Sequence, residues 1–244
     1  MAEPILYMGK SGVGKSSALR NLPSDKTIIL TPNAKTFPFP NSYKRGVNHF
    51  VNNKLTGGNP DSKYPLETIG LKDFIQQVAI NATHVKYLVI DDFTHFFSAR
   101  IFSTEFLAQS SGNAAFQRWN EFGSDVFQSL FLDAPNLRED LKIIVIHHTE
   151  LKEDGTRGFK SSGKLLDNAI DVPSYFTTVL HGVILSTEDG PRYRIQTKEL
   201  AGRQAKTPPG AFEDDYVIND LNVVMETLEK YNSGKVEVPA DHWK

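Results

Sequence analysis

Short apolar or β-rich runs alternate with longer amphipathic stretches along this chain. A strand that is covered on both faces is apolar throughout, so these runs predict buried parallel strands. They lie at residues 4–8, 26–31, 87–90 and 142–146. Between and after them, apolar residues recur at the 3.6-residue period of helices that pack on a sheet. The predicted helices lie at residues 16–22, 66–82, 93–109, 114–132 and 220–231. This alternation predicts an α/β fold with a mostly parallel sheet flanked by helices.

The pattern changes after residue 175. Residues 176–186 are apolar and β-rich, and the Asp189-Gly190 pair is a turn signal before residues 192–197. Two β-rich segments separated by such a turn predict a C-terminal β-hairpin, followed by the closing helix.

Two segments lack any period and predict loops. Residues 33–65 contain several prolines and the Gly57-Gly58 pair, and residues 150–164 mix charges with glycines, which predicts a mobile loop. We expect one domain over residues 1–235 and a short tail over residues 236–244.

Composition excludes several functional classes. The 244 residues are 39% hydrophobic, enough for a sizeable core, and include no cysteine, which excludes disulfides, thiolate nucleophiles and cysteine-based zinc sites. The net charge of −2 does not indicate a general nucleic-acid coat. No apolar stretch is long enough to span a membrane and no secretion signal is seen, so the sequence predicts a cytoplasmic protein.

The motif that predicts chemistry lies at residues 9–16. It fits the phosphate-binding loop pattern G-x-x-x-x-G-K-[ST] between a predicted strand and a predicted helix. Backbone N–H groups of such a loop surround the β-phosphate, the lysine reaches the β- and γ-phosphates, and the serine ligates Mg²⁺. The predicted ATP-binding residues are Gly9, Lys10, Ser11, Gly12, Val13, Gly14, Lys15, Ser16 and Ser17.

Polar residues follow two later strands. Asp91 and Asp92 end the apolar run at 87–90, and His147 ends the run at 142–146. Ligands of open α/β sheets bind at the carboxyl ends of the strands. Asp91 is therefore predicted to bind Mg²⁺ together with Ser16, and His147 to sense the γ-phosphate, with a merely structural histidine as the alternative.

With these motifs in order, the chain resembles phage-encoded ATP-binding proteins with a RecA-like core. The resemblance includes segments 162–167, 205–208 and 218–221 and covers most of the chain. It implies a RecA-like P-loop NTPase that binds ATP and Mg²⁺, binds single-stranded DNA, forms oligomers and promotes annealing or strand exchange in phage recombination or replication. A nucleotide-gated regulatory module with slow hydrolysis and a small-molecule kinase are the alternatives.

One feature departs from the relatives, which often carry a glutamate just after the second strand to activate water. Residues 31–34 hold no acid. Asp92 is therefore predicted as the replacement base.

Basic residues outside these motifs suggest two further roles. Arg157, Lys160 and Lys164 in the 150–164 loop are candidates for contacts with DNA phosphates, with a solvated loop as the alternative. The segment 192–206 is also basic, and in RecA-like assemblies such residues reach the γ-phosphate of a neighbouring subunit. The resemblance therefore makes Lys198, Arg203 and Lys206 candidates for catalytic fingers in trans, with DNA contact or a solvated hairpin as the alternative.

Overall fold

The computed structural model describes residues 3–109, 111–132, 136–162 and 164–234. The strands are β1 Glu3–Gly9, β2 Thr27–Thr31, β3 His49–Val51, β4 Tyr87–Asp91, β5 Lys142–Leu151, β6 Arg157–Phe159, β7 Thr178–Thr187, β8 Gly190–Gln196 and β9 Tyr216–Ile218. The α-helices are α1 Leu71–Asn81, α2 Thr94–Ile101, α3 Thr104–Ala108, α4 Ala114–Phe127, α5 Lys164–Ala169 and α6 Leu221–Asn232. The predicted tail at 236–244 lies outside the described residues.

The strands form one sheet in the order β3-β2-β4-β5-β1-β7-β8-β9, with β6 paired to β5. The pairs from β3 to β7 along this order are parallel, whereas β7, β8 and β9 pair antiparallel. The predicted α/β class, the mostly parallel sheet, the C-terminal hairpin and the closing helix are confirmed.

Strand alternation divides the core into two layers, one on each face of the sheet. Leu88, Ile90, Ile143 and Val145 face the layer that contains α1 to α5. Their neighbours Val89, Ile144 and Ile146 face the opposite layer, which contains α6 and the short helical turn after β1. Because successive side chains of a strand point to opposite faces, consecutive apolar residues of β4 and β5 serve both layers.

Several local predictions need correction. The predicted loop at 33–65 contains β3, and the predicted mobile loop at 150–164 contains β6, which pairs antiparallel with β5. Strands of three residues are too short to show a period, so the sequence pattern does not reveal them. The helix predicted at 16–22 is a single 3₁₀ turn at Ser16–Leu19. A helix dipole therefore contributes little to this site.

A buried carboxylate organises the 33–65 segment. Glu67 is fully buried and accepts two hydrogen bonds from the Arg45 guanidinium, at 3.1 and 2.8 Å. The Val51 N–H and the Ser62 hydroxyl donate to the same carboxylate at 2.9 and 2.6 Å. Burial alone raises the pKa of Glu67, but the hydrogen bonds from Arg45, Ser62 and Val51 outweigh it and hold this pKa below its ordinary value.

Glu67→Gln is expected to lower the free energy of unfolding at pH 7 by about 2 kcal/mol, because Arg45 loses its bidentate partner. A carboxyl with a lowered folded pKa stabilises the protein fully above its ordinary value of 4.5 and loses that contribution as the pH falls through the folded pKa. The difference in the free energy of unfolding between the unmodified protein and Glu67→Gln should therefore become smaller in acid. Urea unfolding at pH 7 and below pH 4 measures it, with Glu188→Gln on an exposed turn as the control. An equal loss at both pH values would contradict this account.

No helix among the described residues is both long and apolar enough to cross a membrane.

Candidate nucleotide-binding site

The loop at residues 9–16 connects β1 to the 3₁₀ turn at Ser16–Leu19. Gly12 and Gly14 adopt φ values of 85° and 82°, a region that side chains with a Cβ rarely enter. A Cβ at Gly9 would lie 2.8 Å from Val13 Cγ2 and 3.0 Å from the Gly182 carbonyl oxygen. The glycines therefore allow both the turns of the loop and its close packing against β7.

The loop side chains differ in what they offer a ligand. Lys10, Ser11 and Gly12 are exposed, and Ser17 lines the same cleft as Ser11, Gly12 and Gly14. Val13 is buried, with its side chain beside Gly9 and Gly182, and it does not line the cleft. We retain the predicted set as a proposal, with Val13 in a packing role.

Lys15 is held inside its own loop. Its Nζ donates to the carbonyl oxygens of Gly9 at 2.9 Å and Lys10 at 2.8 Å, and lies 3.3 Å from His148 Nδ1. Burial lowers the pKa of Lys15 to about 8, although the nearby Asp92 and Asp91 carboxylates act to raise it. The ammonium is mostly charged at neutral pH and is positioned for an anion in the cleft.

Ser16 and Asp91 converge, as a shared metal site requires. The Ser16 hydroxyl lies 3.1 Å from Oδ1 and 3.0 Å from Oδ2 of Asp91, whose side chain is 1% exposed at the end of β4. Lys35, in the segment after β2, places its Nζ 2.9 Å from Asp91 Oδ2. The sequence did not indicate Lys35, because an isolated lysine in an irregular segment carries no pattern.

The donor set fits Mg²⁺. A hydroxyl and a carboxylate are hard oxygen ligands, and Mg²⁺ is usually held by one or two carboxylates together with substrate phosphates and water. Within the described residues, no three His, Asp or Glu side chains converge as a metal site built from protein alone. Ser16 and Asp91 would therefore supply two ligands of a metal, and phosphate oxygens or water would supply the others.

Asp92 lies next to this pair in an unusual backbone conformation, with φ of 78°. Its Oδ2 is 3.1 Å from His95 Nε2 and 3.4 Å from His148 Nε2. Its Oδ1 is buried and has no hydrogen-bond partner among the described residues. Burial acts to raise the pKa of Asp92, but the His148 hydrogen bond and the charges of His148, His95 and Lys35 hold it below its ordinary value. Asp92 is thus an ionised carboxylate that the two histidines contact through Oδ2.

The histidine of β5 that faces the cleft is His148. His147 is fully buried on the opposite face, where its ring stacks on Phe159 at 3.7 Å and its Nε2 lies 2.8 Å from the Lys160 carbonyl oxygen. Burial lowers the pKa of His147 to about 3, so this ring stays neutral. Strand alternation explains the correction, because consecutive residues of β5 point to opposite faces. The structural alternative applies to His147, and we move the proposed sensor role to His148.

These groups line one cleft of about 750 Å³, which falls in the size range of small-molecule sites. Strand β8 contributes Arg192, Tyr193 and Arg194 to its wall, and the segment after β9 contributes Asn219. The Asn219 amide donates to the Gly14 carbonyl oxygen at 2.9 Å and accepts from the Tyr7 hydroxyl at 2.7 Å. Asn219 thereby links the phosphate-binding loop to β1. Its contact with Gly14 spans 205 residues of sequence, so no local sequence pattern reveals this role.

The structure also locates the residues predicted to act in trans. Lys198 Nζ lies 3.1 Å from Asp215 Oδ1, and Lys206 Nζ donates to the Ser174 carbonyl oxygen at 3.4 Å. Arg203 forms isolated backbone bridges with Arg157 and Leu200. None of these three described side chains lines the cleft of its own chain. The basic side chains at this cleft instead include Arg192 and Arg194.

The residues predicted to bind DNA lie on and beside β6. Arg157 begins the strand, Lys160 follows it and is exposed, and Lys164 Nζ lies 2.9 Å from Glu153 Oε1. The Lys160 N–H donates to the His148 carbonyl oxygen at 3.1 Å. Lys160 therefore lies opposite His148 in the β5–β6 ladder, whereas Arg157 lies opposite Leu151, nearer the hairpin turn.

Comparison with known proteins adds a structural likeness. No protein-family model matches the chain, and no curated protein matches it. Among solved structures, the chain is similar to the KaiC-like protein PH0186 from the hyperthermophilic archaeon Pyrococcus horikoshii OT3. The TM-score is 0.40 and the sequence identity 12%, over 84% of this chain and 83% of that chain.

The strand order characterises the core independently. Strand β1 leads into the phosphate loop, β4 ends at Asp91, and β5 alone separates them. This strand order places the loop, the carboxylates and His148 at the carboxyl edge of adjacent parallel strands.

Proposed function

We propose that this protein is a Mg²⁺-dependent P-loop ATPase. The observation that carries the proposal is the convergence of Lys15, the Ser16–Asp91 pair and the Asp92–His148 pair at one cleft. Gly12 and Gly14 in the loop ahead of Lys15 adopt positive φ values, which suit the tight turns of a phosphate-binding loop.

Lys15 is the proposed phosphate ligand. In the structure its ammonium is satisfied by two loop carbonyls, and a triphosphate oxygen is a stronger, charged acceptor for the same donor. Ser16 and Asp91 are the proposed holders of Mg²⁺. When bound, Mg²⁺ neutralises charge on the phosphate oxygens.

Asp92 is the proposed general base. As the base, the Asp92 carboxylate would take the proton of the attacking water, while His148 and His95 hold it in place through Oδ2. His148 contacts both Asp92 and Lys15, so it joins the base to the phosphate ligand. Through this contact, His148 is the proposed sensor of the γ-phosphate.

We further propose that the ATP-bound protein binds single-stranded DNA and promotes annealing or strand exchange. It would do so as an oligomer in the cytoplasm of an infected bacterium. The support is the resemblance together with the β5–β6 hairpin, which links His148 to the exposed Lys160 and the half-buried Arg157. Lys198, Arg203 and Lys206 stay proposed trans contacts, because none of them lines the cleft of its own chain.

Steady-state ATP hydrolysis with and without single-stranded DNA tests this function. We expect Mg²⁺-dependent turnover that DNA stimulates. DNA-independent slow turnover would support the nucleotide-gated module instead, an alternative favoured by the lack of an acid at residues 31–34. Phosphate transfer to a metabolite would indicate the kinase, and absence of turnover and of ATP binding would refute the nucleotide site.

Arg157→Ala/Lys160→Ala is expected to weaken binding of single-stranded DNA and to flatten its salt dependence. Two lost phosphate contacts should reduce the slope of log K against log salt by about 1.4, since each contact on a single strand contributes about 0.7. ATP affinity should not change. Fluorescence anisotropy over a salt series measures the DNA affinity and its salt dependence.

The matched control is Lys26→Ala/Lys230→Ala, which removes the same charge from exposed positions outside the cleft. An equal change of slope in the two double variants would show that net charge alone is responsible. That result, or an unaltered salt slope in Arg157→Ala/Lys160→Ala, would indicate that the hairpin is a solvated surface without a DNA contact.

A further inference from the structure

Asp91, the carboxylate proposed to bind a metal, already forms an ion pair with a lysine. Lys35 Nζ lies 2.9 Å from Asp91 Oδ2, and the Ser16 hydroxyl lies within 3.1 Å of both carboxylate oxygens. The Asp91 side chain is 1% exposed, so water screens this ion pair poorly. A divalent ion that approaches Asp91 must compete with an ammonium in contact.

The position of Lys35 in the fold explains the contact. Strand β2 pairs in parallel with β4, so the segment that leaves β2 emerges at the same edge of the sheet as Asp91. Lys35 lies four residues beyond Thr31 in this segment, outside any regular element, and its side chain is 32% exposed. A lysine has a long, flexible stem and a compact charge, so its ammonium can change partner without movement of the fold.

Two lysine ammonium groups therefore lie near the two carboxylates of this cleft. Lys15 and Lys35 face the Asp91 and Asp92 carboxylates, and the cleft gains several negative charges only when a triphosphate enters. Its phosphate oxygens would offer Lys35 a second partner and leave Asp91 available to a metal.

We propose that Lys35 is a counter-ion in cis that makes divalent-metal binding conditional on the triphosphate. In the nucleotide-free protein Lys35 neutralises Asp91 and excludes the metal; with nucleotide bound it pairs with a terminal phosphate oxygen. The inference rests on the proposed Mg²⁺-ATP site. The proposal assigns a function to the segment after β2, where residues 31–34 hold no acid.

This exchange has a thermodynamic consequence. If nucleotide removes Lys35 from Asp91, then ATP raises the affinity for metal, and metal raises the affinity for ATP by the same factor. Without the Lys35 charge, the apo protein should already bind the metal, and the coupling factor should fall.

Mn²⁺ titration of the nucleotide-free protein, followed by electron paramagnetic resonance of free Mn²⁺, tests the proposal. Lys35→Met keeps the stem but removes the charge, and it should bind Mn²⁺ at least about tenfold more tightly than the unmodified protein. Lys35→Arg keeps the charge and should stay near the unmodified affinity. Lys44→Met, an exposed lysine of the same segment, is the matched control.

The site of the gain is tested with Lys35→Met/Asp91→Asn, which should lose it. Equal Mn²⁺ affinity in the Lys35→Met and unmodified proteins would overturn the proposal, and so would a gain that persists without the Asp91 charge. Circular dichroism and thermal unfolding verify that each variant is folded, and Lys35→Gln supplies a second neutral variant if Lys35→Met is not.

Calorimetric titration with ATP separates this inference from the proposed function. A drop in the coupling factor between Mn²⁺ and ATP in Lys35→Met supports both. If the unmodified protein does not bind ATP, the proposed function fails, while the nucleotide-free Mn²⁺ comparison still decides whether Lys35 excludes metal from Asp91.

Discussion

Lys15→Ala should lower the rate of ATP hydrolysis by on the order of a thousandfold or more, because the cation that neutralises the transferring phosphoryl group is lost. ATP affinity should also fall, since the ammonium is a charged donor to the phosphates in a largely buried position. Phosphate release and calorimetric ATP binding measure the two effects. Lys26→Ala, outside the cleft, is the control for loss of one positive charge.

The pKa of Lys15 adds a test within the unmodified protein. Burial lowers this pKa to about 8, so the free protein loses the ammonium charge as the pH rises through 8. ATP affinity should therefore decline above pH 8 in the unmodified protein and show no matching decline in Lys15→Ala. Turnover by Lys15→Ala at the unmodified rate would contradict the assignment.

Asp92→Asn should slow hydrolysis by about 10²–10⁴-fold and leave ATP affinity nearly unchanged, because the amide cannot accept the proton of the attacking water. The lowered pKa keeps Asp92 ionised from neutral pH down to its ordinary value of 3.8, so its protonation should not limit the rate above that pH. Single-turnover hydrolysis separates the chemical step from binding.

Asp61→Asn, in an exposed loop, is the control for the same chemical change. Asp91→Asn gives a second comparison, since it should weaken Mg²⁺-dependent binding. Normal turnover by Asp92→Asn would place the base elsewhere. Equal binding defects in the two aspartate variants would argue that Asp92 is a metal ligand.

The parts of the site that the sequence predicts are local. The loop at 9–16 and the acids that follow β4 are contiguous residues in a strand context, so pattern and position suffice to find them. The same holds for the C-terminal hairpin, where the turn signal at Asp189-Gly190 lies between two β-rich segments.

The other parts depend on geometry that no local pattern encodes. A buried strand that is apolar on both faces does not show which face carries the loop, so the sequence could not distinguish His147 from His148. Lys35 and Asn219 reach the site from segments that are distant in sequence. Their roles follow from the sheet order, which places β2 beside β4.

Calorimetric titration of the unmodified protein with ATP, ADP and AMP in the presence of Mg²⁺ tests the central claim most directly. A phosphate loop holds the β-phosphate, so the account predicts saturable binding of ATP and ADP and binding of AMP weaker by at least about a hundredfold. Undetectable binding of all three, or equal affinity for AMP and ATP, would contradict the assignment of this cleft as a nucleoside triphosphate site.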